Sequence, residues 1–392
     1  MKTTNFGRNS AGHPATAPDS KITGAPPIRV RFIGAEGRLN SVSMLAERVH
    51  HGLSLIDAGV TSEVLLLPPI AFKARLPVLH QKQWEQMIDG VDIAVIVKSS
   101  AFFGFDSVAP FLKSLARSRN VLLVSSPADG VEAMGEGSRD RFSEEIADFV
   151  IADSEYQRTL IAAQRDPNTV LYIPPATRPV SGRTLEVRDR VRTVIWENPP
   201  HHDPKFKAVK NGETLENYQA FEAHISELCR ANGAELKTFG VWRDVQDDRE
   251  WEDILLAADV AIECKSVGRH YTRYQLGKPA TKVQNYMALG MPVICDSLPA
   301  YREVGGPAGV LFADSFEEWE QQLGKLFASP ELRHEMSMAA SRALAPLSVQ
   351  AIAQRYADCF AQMLESTSMG ARNRWHFDLK AWLPVSMRLH RR

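Results

Sequence analysis

The chain has 392 residues, 46 Lys and Arg against 47 Asp and Glu, and a formal net charge of −1. With 44% hydrophobic and 24% charged residues it has the balance of a soluble globular protein long enough for two domains, and no basic field to draw nucleic acid. Cys229, Cys264, Cys295 and Cys359 are widely scattered, which points to a reduced, cytosolic compartment and to no metal cluster.

Residues 1–27 are rich in Thr, Ser, Ala, Gly and Pro and read as a disordered arm without a signal peptide. No window approaches the roughly 18 uninterrupted apolar residues of a membrane span. From residue 28 short apolar runs alternate with helical spacing. Strands are predicted over 28–34, 63–67, 91–97, 120–124, 148–152 and 169–173. Between them lie helices from about Ser41, over 107–117, from Ser143 and over 154–163. Such alternation means a parallel sheet with helices on both faces.

The prolines at Pro174, Pro175 and Pro179, and the polar run after them, break the pattern. It restarts with a strand over 191–197 and a loop carrying His201, His202, Lys205, Lys207 and Lys210. A helix over 214–230, a strand over 235–239, a helix over 249–257 and a strand over 259–264 follow. After residue 304 come a strand over 309–312 and helices near 315–328, 330–343 and 348–364. The predicted organisation is a first α/β domain over 28–175, a linker over 176–190 and a second α/β domain over 191–347. A crossing helix over 348–365 and a tail over 366–392 complete it. Both domains are read as doubly wound and Rossmann-like, facing each other across a cleft, with ligands expected at the carboxyl ends of the strands.

Within the second domain the stretch from Gly277 to Val304 carries the chemistry. Pro279 suits a first helical position, and Lys278 before it an N-cap or loop. Lys278, Lys282 and Asn285 share one helical face; Gly290 ends the helix, and the apolar run after Pro292 is a strand. A helix N-terminus with two lysines suits an anion such as phosphate, and equally suits plain solvent.

The run Lys278-Pro-x-x-Lys282, Met287-Ala-Leu-Gly290-Met-Pro-Val-Ile and Pro299-Ala-Tyr-Arg-Glu303 resembles the nucleotide-binding signature of GT-B glycosyltransferases. Val150 to Leu160 with Val170 to Pro175 resembles the end of their N-terminal domain, and Gly309 to Leu364 their C-terminal run. The likeness covers residues 150–364, and 28–149 by architecture alone. It implies an enzyme that moves a sugar from a nucleotide diphosphate sugar to an acceptor hydroxyl on a glycan or lipid-linked acceptor. Surface polysaccharide or glycolipid synthesis is the implied setting. It implies that the second domain binds the donor, with the diphosphate on Lys278 and Lys282 and with Thr281, Asn285 and Tyr301 close by. It also implies cations from the Lys205 loop. Lysines and helix N–H groups would stabilise the departing diphosphate without metal or cofactor. One departure stands out: where the group-one, family-four-like members carry a pair of glutamates, this chain has Gly277 and Asn285. A nucleotide-sugar epimerase of the same fold and a non-catalytic binding protein therefore stay open.

Other loops at predicted strand ends supply further candidates. Glu36, beside Gly37 and Arg38, lies after the first strand and can face sugar and acceptor, or only solvent. Asp129 is a candidate general base on the acceptor hydroxyl, or a cap on the next segment; Lys98 is equally ambiguous. Lys265 follows a strand end and opens a polar, aromatic loop that can reach phosphate. The tail beyond residue 370 holds six Lys or Arg with Trp375, Phe377 and Trp382. It reads as a peripheral contact with the inner face of a membrane, or as a helix returning to the first domain.

Overall fold

The computed structural model of the chain describes residues 26–35, 43–67, 81–99, 105–127, 142–178, 180, 182–197, 215–240, 248–266, 271 and 273–370. In the first half six strands, β1 (Ile28–Ala35), β2 (Val60–Leu67), β3 (Ile93–Val97), β4 (Leu122–Ser126), β5 (Phe149–Ala152) and β6 (Val170–Tyr172), form one sheet. Its order is β2-β1-β3-β4-β5-β6, and every pairing is parallel. The helices between them are α1 (Arg48–Ser54), preceded by a π-helical turn at Ser43–Glu47, then α2 (Gln81–Ile88), α3 (Phe105–Ser118) and α4 (Glu155–Ala162). β3 and β5 are buried along their whole length, as strands covered on both faces must be.

The starts of β4 and β2 differ from the sequence reading, each for a backbone reason. Asn120 takes the left-handed conformation at φ 57°, so the chain is still turning out of α3 there and β4 starts at Leu122. Gly59 turns at φ 65°, which frees Val60 to Ser62 to pair with Ile28 to Val30 and lengthens β2. Ser154, predicted as a helical residue, is the cap of α4: its Oγ accepts from the Gln157 N–H at 3.1 Å. α2 has no counterpart among the predicted helices; Trp84, Met87 and Ile88 bury its inner face.

The second half repeats the architecture. Strands β7 (Thr193–Glu197), β8 (Glu235–Phe239), β9 (Val260–Glu263), β10 (Val293–Cys295) and β11 (Val310–Phe312) form a parallel sheet ordered β11-β10-β9-β7-β8. Its helices are α5 (Leu215–Ala231), α6 (Asp248–Leu256), α7 (Arg273–Leu276), α8 (Thr281–Ala288), α9 (Pro299–Gly309), α10 (Phe316–Ala328) and α11 (Pro330–Leu344).

The segment between the sheets is strapped to the second half. Leu185 is buried, its N–H donates to the Leu289 carbonyl at 2.7 Å, and the buried Arg333 guanidinium donates to the carbonyls of Arg188 and Asp189 at 2.6 and 3.0 Å. The chain returns through α12 (Val349–Gly370), whose Tyr356 and Phe360 rings each lie 6.2 Å from Phe32 of β1. The outgoing and returning crossings touch, with the Thr177 N–H donating to the Leu347 carbonyl at 2.8 Å. Among the described residues no helix is long and apolar enough to cross a membrane.

Candidate functional site

The strand order of the second sheet reverses between β7 and β9, and there the carboxyl ends of neighbouring strands diverge to leave a crevice. The register pairs Trp196 with Ile262, so the residues that end these strands, Glu197 and Glu263, come side by side. One strand further, Cys295 pairs with Glu263, and Asp296 follows at the same edge. Three carboxylates thus line the carboxyl edge of three adjacent strands, and all three are buried.

Two lysines answer them. Lys282 reaches in from the first turn of α8, donating through Nζ to the Glu197 carbonyl at 2.8 Å and lying 3.4 Å from Glu263 Oε2. Lys265 follows β9, and its Nζ pairs with the other Glu263 oxygen, Oε1. The Lys265 backbone is fixed as well: its N–H donates to Asp296 Oδ2, and its carbonyl accepts from Tyr218 Oη at 2.7 Å and Gln275 Nε2 at 2.6 Å. Trp251 Nε1 donates to Glu197 Oε2 at 3.2 Å, with the Arg178 guanidinium 4.1 Å above the Trp251 ring. At the next strand end Tyr271 Oη and the Ser297 N–H both donate to Asp314, at 2.7 and 2.8 Å.

The charges bend to this packing. Burial lowers the Lys282 ammonium to about 8, although Glu263 and Glu197 oppose the change. Burial pushes the Glu197 carboxyl up and the Asp296 carboxyl well up. Burial acts on Glu263 in the same sense, yet the Lys265 and Lys282 charges outweigh it and hold that carboxyl below its ordinary range. Glu263 is the ionised centre of the set, between two ammonium groups.

The helix carrying Lys282 starts later than the sequence suggests. Lys278 N–H still donates to the Gln275 carbonyl at 3.1 Å, finishing the preceding turn, so α8 begins at Thr281 with Ala280 half in. Lys278 therefore stands three residues ahead of the helix, half-buried, and does not share the face of Lys282 and Asn285. Ala280 supplies no side-chain cap, so the first N–H groups of α8 have no capping side chain. The same end of the helix meets the first half of the chain, where Gln284 Nε2 donates to the Pro175 carbonyl at 3.3 Å.

Thr281 is half-buried at the head of α8. Asn285, one turn in, is 7% exposed and its Oδ1 has no hydrogen-bond partner. Tyr301 is 1% exposed in the core, where burial and the Glu263 and Asp296 carboxylates raise its phenol, so its ring offers no open face for a base. Glu36, Asp129 and Lys205, with His201, His202, Lys207 and Lys210, lie outside the described residues. Glu197, Trp251, Tyr218 and Gln275 are site residues that the sequence did not single out. For Glu197 the one signal was that an acid ends each of two apolar strands, β7 and β9.

No family model matches this chain, and no curated protein does either. Solved structures do match it in fold. A lipopolysaccharide outer core galactosyltransferase, WaaB, is 12% identical with a TM-score of 0.57, over 86% of this chain and 100% of that one. HepE from Anabaena, solved with UDP and glucose, is 12% identical with a TM-score of 0.54, over 85% and 99%. A putative UDP-N-acetylglucosamine 2-epimerase from Listeria monocytogenes is 13% identical with a TM-score of 0.50, over 87% and 98%. Two parallel sheets with helices on both faces, shared with such enzymes over most of both chains, make this a GT-B fold.

Proposed function

We propose that the chain is a glycosyltransferase that moves a sugar from a nucleotide diphosphate sugar to an acceptor hydroxyl, without a metal ion or a cofactor. The observation that carries this reading is the Lys265 and Lys282 pair at the switch point of the second sheet, beside the uncapped start of α8. Two ammonium groups and helix N–H groups suit a diphosphate, whose negative charge grows as the bond to the sugar breaks. The electrons of that bond go to the diphosphate oxygen, the acceptor oxygen bonds to the anomeric carbon, and the acceptor proton passes to a base. Glu36 and Asp129 are the proposed candidates for that base, and Lys205 and Lys278 for further diphosphate cations. The unpartnered Asn285 Oδ1 suits a ribose hydroxyl as donor. The UDP and glucose held by the Anabaena neighbour support a nucleotide sugar, hexose included, as partner.

A thermal-shift screen of the full chain against UDP, GDP, dTDP and their sugars tests the reading, and no stabilisation by any of them sinks it. The epimerase-like neighbour keeps a second reading, isomerisation of the donor sugar. Product analysis separates the two, since transfer puts sugar on an acceptor and isomerisation changes the donor alone. The acceptor is proposed to be a glycan or a lipid-linked sugar of surface polysaccharide or glycolipid synthesis. The basic, aromatic residues 370–392 would then bring a cytoplasmic enzyme to the membrane. Flotation on anionic liposomes tests that contact, and equal binding with and without residues 370–392 removes it.

A further inference from the structure

We propose that Glu263 is a positioning residue of the donor site: one carboxylate grips the Lys265 and Lys282 ammonium groups by separate oxygens and sets the spacing at which they meet a diphosphate. This rests on the donor reading above. The geometry is that of a two-pronged clip, with Oε1 on Lys265 Nζ and Oε2 3.4 Å from Lys282 Nζ. Glu263 is 0% exposed, whereas the lysine side chains keep 17% and 21% of their surface. An incoming anion therefore meets the ammonium groups and leaves the carboxylate beneath them.

The need for such a clip follows from the lysines themselves. Each is a flexible stem with a point charge, and two of them in one partly buried site repel. The helix that carries Lys282, α8, holds no Asp or Glu along its length and so supplies no carboxylate of its own to order the pair. The strand edge supplies it instead. Neighbouring groups come from every side: Glu197 from β7, Asp296 after β10, and the Tyr286 and Tyr301 phenols from α8 and α9. Of these groups, Glu263 is the carboxylate whose two oxygens pair with the two lysines.

The clip makes opposed demands on one titration. NMR with lysine labelled at Cε follows the Lys282 midpoint in the full chain, and calorimetry follows binding of inorganic pyrophosphate. In E263Q the midpoint falls by about one pH unit or more, because the favourable carboxylate is gone. In K265M it rises, because a like charge is gone and Glu263 serves Lys282 alone. Pyrophosphate affinity drops tenfold or more in E263Q and recovers in part in E263D, whereas a purely packing role would leave the Lys282 midpoint of E263Q unmoved. A Lys282 midpoint unchanged in E263Q, or one that does not rise in K265M, overturns the proposal; should E263Q fail to fold, E263D decides it, its Lys282 midpoint being expected below that of the unmodified chain. If pyrophosphate fails to bind the unmodified chain while the midpoints move in opposite senses, the donor reading falls and the grip of Glu263 on both lysines stands.

Discussion

Lys282 is held by the protein and yet partly exposed. Its ammonium donates to the Glu197 carbonyl and keeps about a fifth of its side-chain surface. Burial lowers it to about 8, so above that pH the free protein holds it largely neutral. A diphosphate favours the charged form and raises its pKa, so binding near pH 8 takes up a proton. The affinity for the nucleotide diphosphate that the thermal-shift screen selects is expected to fall by up to about tenfold per pH unit above 8, and binding heats in buffers of different ionisation enthalpy report the proton. A flat affinity between pH 7 and 9 contradicts this role. K282A removes a charge-assisted bond worth about 1.5–3 kcal/mol and is expected to weaken the selected nucleotide diphosphate about 10- to 100-fold in calorimetry. N285A loses a neutral hydrogen bond of about 1 kcal/mol, so a loss of about fivefold is expected, and only for ligands that carry a ribose. N285A losing as much affinity for bare pyrophosphate places Asn285 elsewhere.

At the scale of elements, what the sequence made legible was what depends on neighbours along the chain. Runs such as Ile93–Val97 and Val260–Glu263 announce buried parallel strands by their continuous apolar character. Their alternation with helices predicts the two sheets. The left-handed turn at Asn120 and the late start of α8 at Thr281 escaped, because each is decided by a local backbone choice that several residue types tolerate. The partnership of Glu263 with Lys265 and Lys282 escaped for a different reason. It depends on how α8 packs back over the carboxyl end of β9, which no local pattern encodes. Glycines show the same divide between sequence and packing. In α10, Gly324 has nothing within 4 Å of an added methyl, so G324A is expected to gain roughly 1 kcal/mol from helix propensity. In α1, a methyl on Gly52 would lie 2.7 Å from the Val349 carbonyl and 2.8 Å from Ala353 Cβ. G52A is expected to cost about 1–3 kcal/mol by forcing α12 away from α1. Thermal melts of the two variants should move in opposite directions, and a matching pair of shifts contradicts the close contact.

At the scale of the molecule, the two sheets are joined by more than a linker. One apolar core runs from Phe32 and Val49 in the first half, through Tyr356 and Phe360 of α12, to Val283 and Met287 behind the lysine site. The two chain crossings are bonded to each other at Thr177 and Leu347. Tyr172 Oη donates to Glu303 at 2.9 Å across the same junction. Separate cores would melt separately, but a core shared in this way makes each half lose packing when the other unfolds. Calorimetry of the full chain is therefore expected to show one transition. A nucleotide diphosphate selected by the screen adds about 2.7 kcal/mol at a hundredfold excess over its Kd and should move that transition as a whole, although its proposed contacts lie in the second half. Two transitions, with only the one assigned to the second half responding to the nucleotide, would mean that α12 and the crossings do not couple the halves. F360A supplies the converse: truncating a buried aromatic of this shared core costs about 3–5 kcal/mol and should either lower the single transition or split it in two. A split by F360A alone identifies α12 as the coupling element, because Phe360 packs on Phe32 of the first sheet.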